Sequence, residues 1–243
     1  ALKNHEQIRE FLKDTEYADA PIVPLSAQHG ANISYLIAAI EEHVKTPVRD
    51  EKADPHMFIA RSFDINKPGI KPQKLVGGVL GGAIVQGKLT VGNEIEISPG
   101  RVVEEHNQQV AKPLKAKITA IMTGGDPVDK AVAGGSVAVM TSLDPGIVKS
   151  DQLTGNIVGL EGKLPPVWYE LRLKTQLLER VVGSQVDMKV DTIKKNEMFM
   201  LNVNAAATVG VVTDISKNEF KCRLRLPVCA AIGDKVTISR RIG

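Results

Sequence analysis

The most constraining feature of this sequence is the stretch from Lys74 to Ile97, where two glycine pairs precede a strictly alternating segment. The pairs are Gly77–Gly78 and Gly81–Gly82, and isoleucine alternates with glutamate over residues 94–97. Alternation with period two is typical of a half-buried strand. Glycine within strands marks bulges, barrel corners or close approach of another backbone. The stretch therefore predicts a tightly bent strand pair in a small β-barrel, with a turn at Gly92–Asn93.

The same stretch contains a G-x-x-x-x-G-K pattern, formed by Gly82, Gly87 and Lys88. A phosphate-binding loop needs Ser or Thr directly after the lysine to bind magnesium, and a following helix whose first amides face the phosphate. Leu89 follows here instead, and the next residues alternate like a strand. We therefore predict that this pattern lies in strands and holds no phosphate.

Short alternating segments separated by turn residues continue along the chain and predict an antiparallel barrel followed by a second all-β unit. The polar segment 101–109 predicts the tip of a hairpin. In the late segment, Lys221, Arg223 and Arg225 alternate with Cys222, Leu224 and Leu226, which predicts a strand with one basic and one apolar face. That basic face is either a solvated strand surface or a patch for an RNA backbone. The predicted strands are residues 57–64, 113–123, 134–141, 154–159, 168–175, 183–191, 197–215, 219–227 and 234–241.

Residues 1–46 follow a different pattern, which predicts a helix, a buried strand and a second helix. The strand is predicted at Ile22, Val23 and Leu25, and Asn32 is the predicted N-cap of the second helix. This order is typical of the edge of an α/β sheet. The segment is too short to be a domain, because one strand cannot form a sheet.

Composition excludes several classes of function. The net charge of the 243-residue chain is only +3, so any contact with nucleic acid must come from a local patch. Two cysteines, Cys222 and Cys229, do not make a disulfide framework, and we expect buried free thiols and a reducing, cytoplasmic location. No apolar run is long enough to span a membrane. The spacing of the histidines and cysteines fits no familiar metal site, and no nucleophile elbow or dinucleotide motif is present.

Three motifs together resemble a known family. The pattern Gly82-x-Ile84-x-x-Gly87, followed by VGNEIEI at 91–97, resembles the second-domain barrel of translational GTPases. The INKPG loop at 65–69 and the LLERVVG run at 177–183 are similar to the gamma subunit of archaeal translation initiation factor two. The resemblance covers essentially the whole chain.

This resemblance implies a mainly β fold, in which two consecutive antiparallel β-barrels follow an α/β remnant of a GTP-binding domain. The expected domains are 1–46 for the remnant, 47–163 for the first barrel and 164–243 for the second barrel, which would lack its closing edge. Similar proteins carry the phosphate loop, the magnesium ligands and the Asn-Lys-x-Asp element before the position of Ala1, so the chain is expected to be a fragment.

The implied function is GTP-dependent delivery of initiator methionyl-tRNA to the small ribosomal subunit. Full-length members would bind GTP or GDP with magnesium. An alpha subunit would dock on the first barrel and a beta subunit on the GTP-binding domain. A full-length member would be a GTPase, so whether the protein is an enzyme stays open from this sequence. We expect this chain alone neither to bind GTP tightly nor to hydrolyse it.

Two sets of candidate site residues follow from the resemblance. The loop of Ser26, Ala27 and Gln28 would offer a backbone N–H group to the guanine oxygen, or would only connect strand to helix. In the first barrel, a cleft for the aminoacylated tRNA end needs close backbone approach and a few donors. Glycines in this barrel serve such a cleft, barrel curvature, or both. The tRNA-binding set is Arg61, Lys74, Gly77, Gly78 and Gly81.

Two other functions stay open from the sequence. The same barrels occur in carriers of the elongation factor Tu type and in selenocysteine-specific factors, which deliver other tRNAs. Alternatively, the barrels are non-enzymatic modules that bind only protein. The INKPG and LLERVVG motifs favour initiation over both, through resemblance alone.

Overall fold

The computed structural model describes residues 2–106, 108–177 and 190–240. The chain divides into two compact units, Ala1–Val48 and Arg49–Gly243. The second unit consists mostly of antiparallel strands, so the predicted mainly β fold is confirmed. The division into 1–46, 47–163 and 164–243 stays a prediction. None of the helices in the described part of the chain is long and apolar enough to cross a membrane.

Helices are short, and strands account for most of the regular structure of the described residues. The helices are α1 (Leu2–Leu12), α2 (Ile33–His43) and α3 (Pro145–Val148). The strands are β1 (His56–Phe63), β2 (Val79–Gln86), β3 (Lys88–Thr90), β4 (Glu94–Glu105), β5 (Gln108–Thr123), β6 (Asp126–Val128), β7 (Lys130–Val132), β8 (Val137–Thr141), β9 (Ile157–Leu160), β10 (Val167–Lys174), β11 (Met198–Val203), β12 (Ala206–Ser216), β13 (Glu219–Cys229) and β14 (Val236–Ser239).

The first sheet closes into a six-stranded barrel. Its order is β4-β9-β1-β2-β8-β5, and β5 pairs back with β4. The inward side chains are aliphatic, among them Met57, Ile59, Leu80, Ile97 and Val139, each fully buried. In a closed barrel each of the six strands has a neighbour on both sides, so the wall has no free edge strand.

The glycine-rich stretch lies in this barrel as predicted. β2 carries the second glycine pair, and Gly92 and Asn93 form the turn before β4, where the Thr90 amide donates to Asn93 Oδ1 at 2.9 Å. In the G-x-x-x-x-G-K pattern, Gly82 lies on β2, Gly87 in the bend after it and Lys88 on β3, and Leu89 is fully buried, so the pattern is not followed by the helix of a phosphate loop. The polar segment predicted as a hairpin tip lies on the β4–β5 pair, where residues 101–105 of β4 are opposite residues 108–112 of β5.

The second sheet is a five-stranded antiparallel sheet of order β10-β13-β12-β11-β14 within the described residues. Phe199 and Phe220 form its centre, with ring centroids 5.5 Å apart in an edge-to-face arrangement. Closure of this sheet into a second barrel stays a prediction. Residues 183–189 of the predicted strand 183–191 and residues 178–183 of the LLERVVG run lie outside the described residues, and residues 190–191 are not in a strand.

β13 has the predicted alternation over most of its length. Cys222 and Leu224 are buried, whereas Arg223 and Arg225 are exposed. Leu226, predicted to face inward, is 45% exposed, because Thr208 binds both its N–H and its carbonyl there instead of a regular strand partner. Both cysteines are free and buried, as predicted. Burial raises the pKa of the Cys229 thiol to about 11, which keeps it protonated near neutral pH.

The strand predicted in the first unit is not formed. Ile22, Val23 and Leu25 do not form a strand; among the described residues 2–48, the only bridge joins Ser26 and Ala31. The segment is extended, but no neighbouring strand in this unit pairs with it. Asn32 does stand at the N-cap position of α2, yet its side chain donates to Pro24 O at 2.8 Å and caps no amide. Neither α1 nor α2 has a buried residue, so this unit has no core of its own.

Candidate functional site

The first set of predicted residues forms a tight loop in the first unit. The amide of Ser26 donates to Ala31 O at 3.1 Å, and the amide of Ala31 donates to Ser26 O at 3.1 Å. These two bonds close the loop, and the N–H groups of Ala27 and Gln28 donate to no acceptor among the described residues. An exposed loop with two outward amides can donate to a carbonyl oxygen of a ligand.

This loop does not by itself provide a site for a nucleoside triphosphate. The phosphate-loop pattern of the chain lies in strands, as described above. The described residues contain no group of three or more His, Cys, Asp or Glu side chains placed to hold a metal ion. Within the described residues, the loop therefore offers backbone donors for a carbonyl oxygen, and no cluster of carboxylates is placed for a magnesium ion.

The second set lies on the first barrel, and the structure brings Arg61 and Gly81 together. They are directly opposite each other in the β1–β2 pair, next to a register shift between Ile59 and Arg61. A Cβ atom placed on Gly81 would lie 3.7 Å from Arg61 Cβ and 3.6 Å from the Phe63 ring, which are ordinary contacts. The Gly81 position therefore has room for a ligand or a small side chain beside Arg61.

The other glycines of the stretch serve the packing of the barrel. A Cβ atom on Gly77 would lie 1.8 Å from Thr141 O, and one on Gly78 would lie 2.3 Å from a Val148 methyl group. Gly82, outside the predicted set, would place its Cβ 1.9 Å from Phe58 O. These positions require glycine because neighbouring atoms of the same barrel fill the space of a side chain.

Arg61 is oriented by Asp151, which sequence reasoning missed. Arg61 Nε donates to Asp151 Oδ1 at 2.9 Å and to Oδ2 at 3.1 Å, and the Ser62 amide donates to Oδ1 at 2.9 Å. The Nη1 and Nη2 atoms of Arg61 donate to no acceptor among the described residues, and the side chain is 69% exposed. The guanidinium is therefore held at one edge and presents its other edge to solvent.

The electrostatics of this pair follow from its hydrogen bonds. The Arg61 side chain, followed by the Ser62 amide, lowers the pKa of Asp151, and bonding to Asp151 raises the pKa of Arg61. Both groups are therefore charged at neutral pH. An arginine held in this way is preorganised to bind a phosphate or carboxylate bidentately.

Lys74 is the last residue of a short 3₁₀ turn, Pro72–Lys74, in the loop between β1 and β2. Asn66 closes the neck of that loop: its side-chain amide donates to Val76 O at 2.8 Å, and its oxygen accepts from the Val76 amide at 2.9 Å. Asp64 Oδ1 accepts from the backbone N–H group of Asn66 at 2.8 Å. This bonding explains why the INKPG motif carries asparagine.

Asp151 and Ser62 gave no local indication in the sequence. Asp151 is separated from Arg61 by 90 residues, and its backbone φ of 58° lies in the left-handed region. An aspartate in a polar turn is ordinary, so only the three-dimensional contact reveals its role. The buried Ser62 hydroxyl accepts from the Leu153 amide at 3.0 Å, which fixes the turn that carries Asp151.

Comparisons with known proteins agree with this architecture. A solved selenocysteine-specific elongation factor, bacterial EF-Sec, matches with a TM-score of 0.71 at 21% identity, covering 96% of this chain and 34% of that one. The elongation factor SelB from Methanococcus maripaludis, in complex with the GTP analogue GPPNHP, matches with a TM-score of 0.70 at 19% identity, covering 98% and 51%. At these identities the match shows the fold alone.

Sequence relatives are much more similar. The chain is 53% identical over 243 residues to translation initiation factor 2 subunit gamma from Pyrococcus horikoshii, and 49% identical over 243 residues to the one from Methanocaldococcus jannaschii. The match includes 100% of this chain and spans 59% of the length of each relative. Residues 169–243 match the family described as "Initiation factor eIF2 gamma, C terminal". The chain thus resembles the gamma subunit of archaeal translation initiation factor two over its whole length, and its residues 169–243 match the C-terminal model of that family.

Proposed function

We propose that this chain acts in translation initiation, as part of a GTP-dependent carrier that delivers initiator methionyl-tRNA to the small ribosomal subunit in the cytoplasm. The observation that carries this proposal is 53% identity over all 243 residues to relatives named translation initiation factor 2 subunit gamma. The chain supplies the barrel surfaces for the tRNA end and for the partner subunits. GTP or GDP and magnesium belong to the complete carrier.

In this proposal, Arg61 and the backbone at Gly81 form one wall of the site for the terminal aminoacyl-adenosine. The free edge of Arg61 binds phosphate, and the absent side chain at Gly81 admits the nucleoside beside the Phe63 ring. A single-stranded end needs such a combination of flat surface and fixed donors. Lys74 adds positive charge on the neighbouring loop, and Gly77 and Gly78 contribute by shaping the barrel.

The experiment compares variants of the full-length protein by filter binding of methionyl-tRNA. We expect Gly81→Val to weaken tRNA binding about tenfold or more while GTP affinity and melting temperature change little. Arg61→Ala should weaken binding and flatten its salt dependence, because it removes a phosphate contact. Gly78→Val is the matched control, since it collides with Val148 and lowers stability and all affinities together. Unchanged tRNA affinity in folded Gly81→Val would remove this site.

A selenocysteine-specific or elongation factor Tu type carrier is the alternative, favoured only by the shared fold of EF-Sec and SelB. Filter binding of methionylated initiator tRNA against other charged tRNAs separates the two functions. We expect the initiator to bind tightest. Equal binding of all of them would contradict a role in initiation, and binding of none would favour barrels that contact only protein.

We also propose that an alpha subunit docks on the first barrel and a beta subunit on the GTP-binding domain. Residues 47–243 contain all of the second compact unit. We therefore expect them to co-purify with alpha and not with beta. Retention of beta by residues 47–243 would show that the docking assignment is wrong.

For Ser26, Ala27 and Gln28, we propose one backbone contact to the guanine oxygen in the complete carrier. One base contact cannot hold a triphosphate. Titration of the 243-residue chain with a fluorescent GTP analogue should therefore show no binding at micromolar concentration. Micromolar affinity would contradict this part of the proposal.

A further inference from the structure

The outer face of the second sheet combines an exposed apolar stripe with a row of arginines. On β11, Met198 is 69% exposed and Met200 is 55% exposed. Val211 pairs with Met198 and Val209 pairs with Met200, so two apolar pairs lie side by side. We call these four residues the methionine stripe. Large apolar side chains grouped on a strand face mark a surface for a partner.

The basic side of this face lies on β13. Arg223 is directly opposite Val211 on one side and Glu170 on the other, and Arg225 follows two residues along the same face. Lys221 is neutralised by Glu170, with Nζ 2.5 Å from Oε2. No carboxylate of the described residues lies within 4.0 Å of the Arg223 or Arg225 guanidinium. Two cationic groups therefore flank the methionine stripe.

The dimensions of the face suit one helix. Strands lie about 4.8 Å apart, so the arginines of β13 and the methionines of β11 are separated by about 10 Å, the diameter of a helix with its side chains. Residues two apart on one strand are about 7 Å apart, and residues four apart on a helix rise about 6 Å along its axis. Unbranched methionines adapt to the shape of an apolar helix face, as in other surfaces that bind helices.

We propose that this face binds an acidic amphipathic helix of a protein partner, with the apolar side of the helix on Met198, Met200, Val209 and Val211 and carboxylates on Arg223 and Arg225. An RNA backbone would use the arginines but leave the methionine stripe without a function. Stacking of unpaired bases needs aromatic side chains, and the aromatic rings of β11 and β13, Phe199 and Phe220, are buried on the opposite face. The apolar half of the face thus favours protein over RNA.

The test uses fluorescence anisotropy with the 243-residue chain and a labelled helical peptide of about 18 residues. The peptide has leucines at i, i+3, i+4 and i+7 and glutamates along one flank, and a second peptide has lysines in place of the glutamates. We expect the acidic peptide to bind at least about tenfold more tightly than the basic one. The paired changes Met198→Ser with Met200→Ser, and Arg223→Glu with Arg225→Glu, should each weaken binding about tenfold.

Control variants come from the first barrel. Met122 is 41% exposed on β5 and Arg101 is exposed on β4, so Met122→Ser and Arg101→Glu should leave peptide affinity unchanged. Exposed methionine oxidises readily to the sulfoxide, and bound peptide should protect Met198 and Met200, but not Met122, from hydrogen peroxide. Absence of binding, or binding unaffected by the methionine changes, would overturn the proposal. Tight binding of duplex RNA that depends on the arginines and not the methionines would assign the face to RNA instead.

Discussion

The first barrel and the second sheet are stabilised by different means, although both are antiparallel. Of the polar residues buried in the described part of the chain, Ser62, Ser98, Thr141 and Asn156 belong to the barrel or its loops, and only Thr208 belongs to the sheet. The sheet instead has an aromatic centre, with Phe199 and Phe220 in contact and Arg240 over the Phe199 ring at 5.7 Å. The barrel adds side-chain hydrogen bonds between elements to its aliphatic core, whereas the sheet has an aromatic core with a single buried polar residue among those described.

This difference shows how closure changes what a strand needs. The bent wall brings the backbones of paired strands very close, as at Gly82 on β2 and Phe58 on β1, and its loops leave buried groups that only a side chain can satisfy. A sheet with one buried face is specified by alternation alone. Truncation of a buried aromatic ring should therefore lower the free energy of unfolding most in the sheet. Substitutions at glycines in close backbone contact should lower it most in the barrel.

The largest effect is expected for Phe199→Ala in the sheet. Removing a fully buried aromatic ring costs about 3–5 kcal/mol of the free energy of unfolding. Trp168, the single tryptophan, packs against the sheet core and reports on its unfolding by fluorescence. In urea, we expect the fluorescence transition of Phe199→Ala to precede the circular dichroism transition, because the barrel core is intact.

The control for this prediction is Ile97→Ala in the barrel core. It should shift the circular dichroism midpoint more than the fluorescence midpoint. If both variants shift both transitions equally, the barrel and the sheet unfold as one cooperative unit, and neither has a stability of its own.

The next effect is expected within one glycine pair. Gly82→Ala places a methyl group 1.9 Å from Phe58 O and should cost about 2–3 kcal/mol, the upper range for overpacking. Gly81→Ala, one residue earlier, meets only ordinary contacts and should change stability by about 0.5 kcal/mol or less. Urea unfolding of both variants measures the difference. Equal costs would mean that the two glycines serve the same conformational purpose.

The sequence predicted the strands better than the contacts between them. Alternation located β4 from residues 94–97 and the buried side of β13 from Cys222 and Leu224, because period two directly encodes a buried face. The glycine pairs indicated a barrel, but not which glycine faces the surface. That distinction depends on Thr141, Val148 and Phe58, which approach the pairs only once the neighbouring strands and α3 have packed against β2.

The candidate site was predictable only in part, for the same reason. Arg61 was identified through a resemblance, whereas its partner Asp151 is 90 residues away and lies in an ordinary turn. The strand predicted at residues 22–25 shows the opposite error: an apolar segment has the pattern of a strand but forms none without a neighbour to pair with. Local pattern identifies candidate elements, and pairing decides which of them form.

A smaller effect should distinguish the buried polar groups of the two regions. Asn156 Oδ1 accepts from the Gly100 amide at 2.6 Å, and its Nδ2 donates to Leu153 O at 3.1 Å. Asn156→Ala leaves the buried Gly100 N–H without a partner, whereas Leu153 O keeps its bond from the backbone amide of residue 156, and the change should cost about 2 kcal/mol. Thr208→Val removes two bonds to the more exposed Leu226 and should cost about 1 kcal/mol. If urea unfolding showed a larger loss of stability for Thr208→Val, side-chain hydrogen bonds would not contribute more to the barrel than to the sheet.

The smallest expected effect concerns the acid dependence of the barrel. Because Arg61 and the Ser62 amide lower the pKa of Asp151 in the folded state, ionised Asp151 contributes stability above its unfolded pKa of about 3.9. That contribution is lost as the pH falls through the lower folded pKa. Asp151→Asn should therefore reduce the loss of stability between pH 4.5 and about 2.5, measured as urea midpoints.

The matched control is Asp126→Asn on β6, an exposed carboxylate of the same barrel. It should leave the acid dependence close to that of the unchanged chain. Because the Arg61–Asp151 pair is exposed, the difference is expected to shrink with added salt. A difference that persists at high salt would indicate that the Ser62 amide, and not the guanidinium, is the main partner of Asp151, and would weaken the assignment of Arg61 as a side chain held for a ligand.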